Sequence, residues 1–448
     1  MHASTPSRRD DIDWLRVGAT YLLFVFHGAM VFNPAPFYHI RNADLSLGML
    51  VLCGFIGLWQ MPLFFLLAGW STQASLAVRG TRGYLRERVW KLLIPLCAGV
   101  ALFGPIIKFI ELKSGLDLNH AGLRVSTELQ ESFRMVIPSP LAVAPPFHET
   151  FLEFLPTFFT RLDRFSWSHL WFIAYLFTFS LLYLPLIVWL GRRAPRLKQP
   201  GVLWVYAPAV PLAVIQLTLR ERWPGIQNLY NDWANVAYYS VYLLAGVILG
   251  SQPALERVVH REWKRALLVG AAVSGLLLSA LLRLFTAPWV VLAGSALAGW
   301  CFVIALLGLG RAFRPSARLE LGYLRESAFP VYILHQVAIV LSGYAIIQLP
   351  LGIGAKFALI LVASVSSTLA VYHFVVRRST VIGVCFGTKP KLCPLPPRPG
   401  SIAAAGIVLV LVASSTVLAM PGLQARSGYE TPRGAPPRSI SARGEPAS

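Results

Sequence analysis

Apolar residues in this chain gather in runs of about twenty, parted by short polar segments, and such runs are too long for strands or for half-buried helices of a soluble core. They fall at about 14–33, 48–73, 91–111, 168–190, 202–219, 234–250, 265–284, 289–309, 328–349 and 356–376, with a separate eleventh at 402–421. A bilayer core about 30 Å thick takes about twenty helical residues. Lipid offers backbone amides no partner, so a spanning segment must be a helix or part of a closed barrel. The pattern predicts an all-α polytopic membrane protein, a bundle of about ten transmembrane helices plus an eleventh. Pro95, Pro105, Pro208, Pro211 and Pro330 fall inside runs, where neighbouring helices can satisfy the freed backbone groups.

The segments between runs set the organisation. Residues 1–13 read as a polar N-terminus and 14–388 as one membrane domain, with a long loop at 112–167 on the face opposite the N-terminus. That loop mixes Pro138, Pro140, Pro145 and Pro146 with an aromatic stretch at 151–159, which suggests a lid on the membrane surface. Residues 389–401 read as a Pro-rich, semi-rigid linker to the eleventh run, and 422–448 as a disordered Pro/Gly/Ser/Arg-rich tail. No small-residue cleavage site follows the first run, where Phe32-Asn33-Pro34 stands, so it is expected to persist as a signal anchor.

Composition agrees with the pattern: 56% of residues are hydrophobic and only 13% charged, about half the charge of a soluble domain. The net charge of +20 does not indicate nucleic acid, because the basic residues form no single face or arm. They cluster between runs, at 79–91, 192–198, 257–265, 311–325 and 377–398, all on the side of Arg8, Arg9 and Arg16. Cytoplasmic loops collect Lys and Arg, so the N-terminus is expected in the cytoplasm. The five cysteines form no metal-ligand spacing and no disulfide framework, and P-loop, GxGxxG, HExxH and CxxC patterns are absent from the sequence.

Ionisable residues inside spans are costly and therefore candidates for function. His27 is the clearest, in Tyr21-Leu22-Leu23-Phe24-Val25-Phe26-His27-Gly28. It follows Arg16 by eleven residues, which on a helix returns to within about 20° of the same face after a rise of about 16 Å. Arg16 is thus expected at the cytoplasmic mouth and His27 near mid-membrane, with Asp13 orienting Arg16 through an i,i+3 pair. Arg88 and Lys91, three apart at the start of the third span, are expected on one face where they could hold phosphates. His335 lies inside the ninth span. His169 and Trp171 fall at the outer interface, where Trp171 reads most simply as aromatic-belt material and His169 as a surface residue. His373 reads as structural, His39, His120 and His148 as loop residues without partners, and His2 and His260 as solvated. A buried His can equally serve a plain hydrogen bond to a neighbouring helix. The run Met61–Gly69, without acid or base, suits close helix packing.

In order, the chain carries Asp13-Trp14-Leu15-Arg16 with ten residues to His27, then Met61-Pro62-Leu63-Phe64-Phe65-Leu66-Leu67-Ala68-Gly69, then Arg88-x-x-Lys91-x-x-x-Pro95. His169-Leu170-Trp171-Phe172 and Phe329-Pro330-Val331-Tyr332-Ile333-Leu334-His335 follow. The set resembles the acyltransferase-3 family of integral membrane acyltransferases over roughly residues 10–390. Within it, the chain is most similar to the branch of the osmoregulated periplasmic glucan succinyltransferase. The resemblance implies an inner-membrane O-acyltransferase moving an acyl group, acetyl or succinyl, from cytoplasmic acyl-CoA to a hydroxyl of an extracytoplasmic saccharide. It gives His27 the role of the essential histidine and Arg16 that of its paired cation. Arg88 and Lys91 match an Arg-x-x-Arg element whose second Arg is here Lys, which cannot bind phosphate in a bidentate fork. His169, Trp171 and His335 are expected to contact substrate. No permanently bound cofactor, metal or nucleic-acid partner is expected; the partners are acyl-CoA, the acceptor and the bilayer.

His27 then acts as a general base on the acceptor hydroxyl, or as an acyl-carrying nucleophile. The rival reading is a transporter or flippase for a free or lipid-linked saccharide, which predicts interrupted helices in matching halves, and no such repeat is visible. A scaffold without chemistry leaves an intramembrane histidine unexplained.

Overall fold

A computed structural model of the chain describes residues 9–35, 38–118, 147–193, 198–312 apart from 224, 226, 283, 285 and 286, and 318–388. The linker at 389–401, the eleventh run at 402–421, the tail at 422–448 and His120 lie outside the described residues. All elements among those described are helical. They are α1 (Asp10–Met30), α2 (Leu47–Arg88), a π turn (Val89–Leu93) leading into α3 (Ile94–Lys113), and α4 (Phe151–Thr160). A 3-10 turn (Ser168–Leu170) opens α5 (Trp171–Leu182), and α6 (Leu184–Arg193), α7 (Leu203–Tyr206) and α8 (Ala209–Leu219) follow. Then come α9 (Trp233–Ser251), α10 (Pro253–Leu281), α11 (Pro288–Ala312), α12 (Arg318–Ile346), α13 (Ile353–Val371) with a π turn (Tyr372–Val376), and α14 (Thr380–Cys385).

Each apolar run predicted between 14 and 376 is helical, but several helices outrun their apolar part. α1 begins at Asp10, α2 continues to Arg88 and α10 starts at Pro253. Hydropathy marks only the part in contact with lipid or core, whereas Arg, Lys and Glu extend a helix into water at little cost.

Among the described residues, six helices are long and apolar enough to cross a membrane, or seven if the bent pair Ser168–Leu182 and Leu184–Leu190 counts as one span. One of the six, Leu47–Lys113, runs for 67 residues, which at 1.5 Å each is about 100 Å and far exceeds one crossing. Gly80, at φ 65° and ψ 177°, breaks it into two limbs. Near its end Glu111 bonds His39, which precedes its start. The run therefore goes out and returns, and its two ends share a face. We call the side where α1 begins the near face and the side where it ends the far face.

α1 packs against α2, α12 and α13, and α2 against α9. The α2–α9 crossing is a backbone contact: a Cβ on Gly69 would lie 1.9 Å from the Leu243 carbonyl oxygen, and one on Gly246 would lie 2.0 Å from that of Leu66. Only glycine permits such an approach, so the Met61–Gly69 run packs as its composition suggested. α4 is capped by a reciprocal Thr150–Glu153 box. Its Phe154 and Phe158 are fully buried with Phe109 and Leu112 of α3. The aromatic loop thus docks one face on the bundle, while Leu152 and Phe159 stay exposed.

Candidate functional site

Three histidine rings from three distant elements meet toward the far face. His27 comes from the last turn of α1, His169 from the 3-10 turn and His335 from the middle of α12. The His27 and His335 ring centroids are 5.2 Å apart, and those of His169 and His335 are 4.9 Å apart. Tyr38 stacks on His27 at 5.7 Å. His27 keeps partial exposure while His335 is fully enclosed. On α1 the histidine lies in the last turn, so the ring sits near the far end of its helix.

The backbone fixes two of the tautomers. A carbonyl oxygen only accepts, so His335 Nδ1–H donates to the Tyr332 oxygen at 2.6 Å and His169 Nε2–H donates to the Ile333 oxygen at 3.1 Å. The Tyr332 hydroxyl in turn donates to the His169 carbonyl. The remaining nitrogens, His335 Nε2 and His169 Nδ1, are buried without a hydrogen-bond partner, as are His27 Nδ1 and the Tyr38 hydroxyl. Buried polar atoms are rarely left so. Several in one spot, on residues that can accept a proton, mark a place built for another molecule's polar group.

Beside this cluster lies a chain of buried charge. Lys108, 1% exposed, donates to Glu111 at 2.5 Å and to Asp117 at 2.7 Å. Glu111 accepts from His39 Nδ1–H at 2.5 Å, and the Ser168 hydroxyl meets His39 Nε2 at 2.9 Å. His39 therefore corrects its expected status as an unpartnered loop residue, since both ring nitrogens are bonded and it is 7% exposed. Its partners come from more than seventy positions away, which a linear reading cannot see. The signal that could have found this network was present: Lys108 and Glu111 are ionisable residues inside a predicted span, by the criterion that singled out His27.

At the near face, Arg16 donates to Ser71 at 2.9 Å and sits 3.6 Å from Asp13, the predicted i,i+3 pair. Arg325 approaches Asp13 from α12 at 3.5 Å. One turn along α2 from Ser71, Ser75 donates to Glu87 at 2.7 Å, and Glu87 pairs with Lys91 at 2.7 Å and Arg79 at 3.5 Å. Arg16 thus bonds Ser71 directly, while Lys91 is linked to the next turn of α2, at Ser75, through Glu87. Arg88 goes elsewhere: its guanidinium lies over the Tyr84 ring at 4.6 Å. The π turn starting at Val89 lies between Arg88 and Lys91, and each side chain reaches back four residues, to Tyr84 and to Glu87.

His169 and Trp171 also depart from expectation. Both are buried: His169 lies in the histidine cluster, and Trp171 packs against Tyr175 and Tyr239 with centroids at 5.3 and 5.5 Å. Neither sits in an aromatic belt. A separate cavity of about 190 Å³ lies between α2, α8, α9 and α11, lined by Gln216, Arg220, Asn235 and Tyr238 among others, and touches none of these histidines. Among the described residues no group of His, Cys, Asp and Glu converges closely enough to hold a metal ion.

The arrangement has buried ring nitrogens without hydrogen-bond partners toward one face and a cluster of guanidinium and ammonium groups at the other. A family model described as an acyltransferase domain matches residues 9–373. No curated protein and no solved structure matches the chain.

Proposed function

The chain belongs to the acyltransferase-3 family, and we propose that it carries an acyl group from cytoplasmic acyl-CoA to a hydroxyl of a saccharide on the other side of the membrane. The near face is then cytoplasmic, in line with the Lys and Arg clusters on that side. CoA carries phosphates that cannot enter hydrocarbon, so its nucleotide stays at the mouth formed by Arg16, Lys91 and Arg88, with Arg79 and Arg325 adding to the field. The pantetheine arm is uncharged and long enough to thread along α1 and present the thioester near His27. The acceptor reaches the same point from the far face.

There His27 is the base. Its buried, unpartnered ring nitrogen takes the proton of the acceptor hydroxyl as the oxygen attacks the acyl carbon, a contribution of about 10²–10⁴-fold. A histidine suits the task because its ordinary pKa lies near 6.5. His335, with Nδ1–H committed to Tyr332, presents its bare Nε2 to the same space and can accept from the acceptor or hold it in place. His169 closes the other side, and Trp171 supports the wall behind it. The observation that carries this reading is the convergence of His27, His169 and His335 with unsatisfied nitrogens.

From the motif resemblance to the glucan succinyltransferase branch we further propose a succinyl or acetyl group as the donor cargo and an osmoregulated periplasmic glucan as the acceptor, with the protein in the inner membrane. Mass spectrometry of envelope glycans, from cells expressing the wild-type chain, His27→Ala or no copy, tests it. An added acyl mass is expected only with the wild type. Equal acylation in all three cultures overturns the assignment.

A further inference from the structure

We propose that Ser168 is a nucleophile that carries the acyl group as an ester between donor and acceptor, activated by His39 and Glu111. The inference rests on the acyl donor and acceptor assigned above and adds a covalent step to that site.

Three residues from three separate segments stand in the order carboxylate, imidazole, hydroxyl. Glu111 Oε2 accepts from His39 Nδ1–H at 2.5 Å, and His39 Nε2 accepts from the Ser168 hydroxyl at 2.9 Å. A carboxylate on one imidazole nitrogen fixes the tautomer so that the other is free to take a proton from the hydroxyl, which defines an activated serine. Glu111 is itself held by Lys108 and by the Leu118 amide at 2.8 Å, and is 1% exposed. A carboxylate so enclosed can stabilise an imidazolium with little competition from water.

Two further observations set Ser168 apart from an ordinary hydrogen-bonded serine. Its φ is +47°, a left-handed conformation that costs a non-glycine residue free energy and that clusters at functional positions. It also keeps partial exposure although its two partners are buried. Its neighbour in sequence, His169, belongs to the histidine cluster. Tyr38 links the two sets from the other side, with its ring 5.7 Å from His27 and 5.5 Å from His39. The serine therefore borders the place where the thioester is delivered.

The chemistry balances in two half-reactions. In the first, His39 takes the Ser168 proton, Oγ bonds to the thioester carbon, the C–S bond breaks, and CoA leaves as a thiolate that gains its proton from water. His39 remains an imidazolium beside Glu111. In the second, His27 takes the acceptor proton, the acceptor oxygen bonds to the acyl carbon, the Ser168 C–O bond breaks, and Oγ recovers its proton from His39. His27 then releases its proton to water. No oxidant or additional reactant is needed.

The test uses the full-length protein in detergent with radiolabelled acetyl-CoA and, separately, succinyl-CoA, without acceptor, followed by peptide mapping. Wild type should become labelled on Ser168 with either or both donors. Ser168→Ala should lose the label and lower turnover about 10³-fold or more. Ser168→Cys should regain label as a thioester that neutral hydroxylamine releases, a rescue that a merely structural serine would not show. His27→Ala should still label Ser168 but fail to pass the group on, separating this step from the base assigned to His27. Absence of label on wild-type Ser168 with both donors, or full turnover by Ser168→Ala, overturns the proposal. Product formation by His27→Ala would instead overturn the base assignment and leave the serine ester standing.

Discussion

His27 and His335 face each other with ring centroids 5.2 Å apart, and each has a buried ring nitrogen without a hydrogen-bond partner. One belongs to the last turn of α1 and the other to the middle of α12, so their meeting is a product of the α1–α12 contact. His335→Ala should lower kcat by about 10²-fold or more, while His335→Asn should retain part of it by keeping a donor toward the Tyr332 carbonyl. Comparable kcat for wild type and His335→Ala in steady-state acylation would count against a shared site.

Arg16 at the near face bonds Ser71 and Asp13, eleven residues before His27 on α1. Arg16→Gln should raise KM for acyl-CoA about tenfold or more with kcat little changed, as expected for lost binding to a phosphate. A drop in kcat at unchanged KM would place Arg16 in the chemical step.

Lys108 neutralises both Glu111 and Asp117 from a position 1% exposed. Lys108→Met leaves two carboxylates facing each other without a cation, a loss of about 3–5 kcal/mol. Thermal unfolding in detergent should show a clear fall in Tm, and adding Glu111→Gln should restore part of it.

Gly246→Ala drives a methyl group into the Leu66 carbonyl, 2.0 Å away, whereas a Cβ on Gly18 meets nothing within 4 Å. The first substitution should destabilise by several kcal/mol, and Gly18→Ala should be neutral or slightly stabilising through helix propensity. Comparing their midpoints in a heat-aggregation assay checks the pair.

Arg164 grips Glu149 with two hydrogen bonds of 2.6 Å and also bonds Thr157 of α4. The Arg164 hydrogen bonds hold the Glu149 carboxyl below its ordinary range. A depressed carboxyl stabilises the docked loop above its unfolded value, near 4.3, and loses that contribution as pH falls through the folded one. The pair is partly exposed and salt-screened, so the effect is modest. Proteolysis of residues 147–165 should quicken below about pH 4 in wild type and lose that dependence in Glu149→Gln.

What the sequence disclosed follows from the physics of each signal. The helices were legible because lipid demands length and apolarity, and His27 because an ionisable group in such a run is costly. Asp13 and Arg16 were legible because their pairing is local. His39, Ser168 and Tyr38 were not, because loop residues carry no periodic signal and their partners come from other segments. The π turn that separates Arg88 from Lys91 was not legible, because nothing in the apolar pattern around Val89–Leu93 departs from an α-helix.

The glycine seam between α2 and α9 has a mechanical corollary. Two backbones resting directly on one another, with no side chains between them to repack, form a rigid strut. Admitting a bulky sugar and a long thioester must then fall to helices that meet through larger side chains, α1, α12 and α13, which are the ones that carry or border His27 and His335.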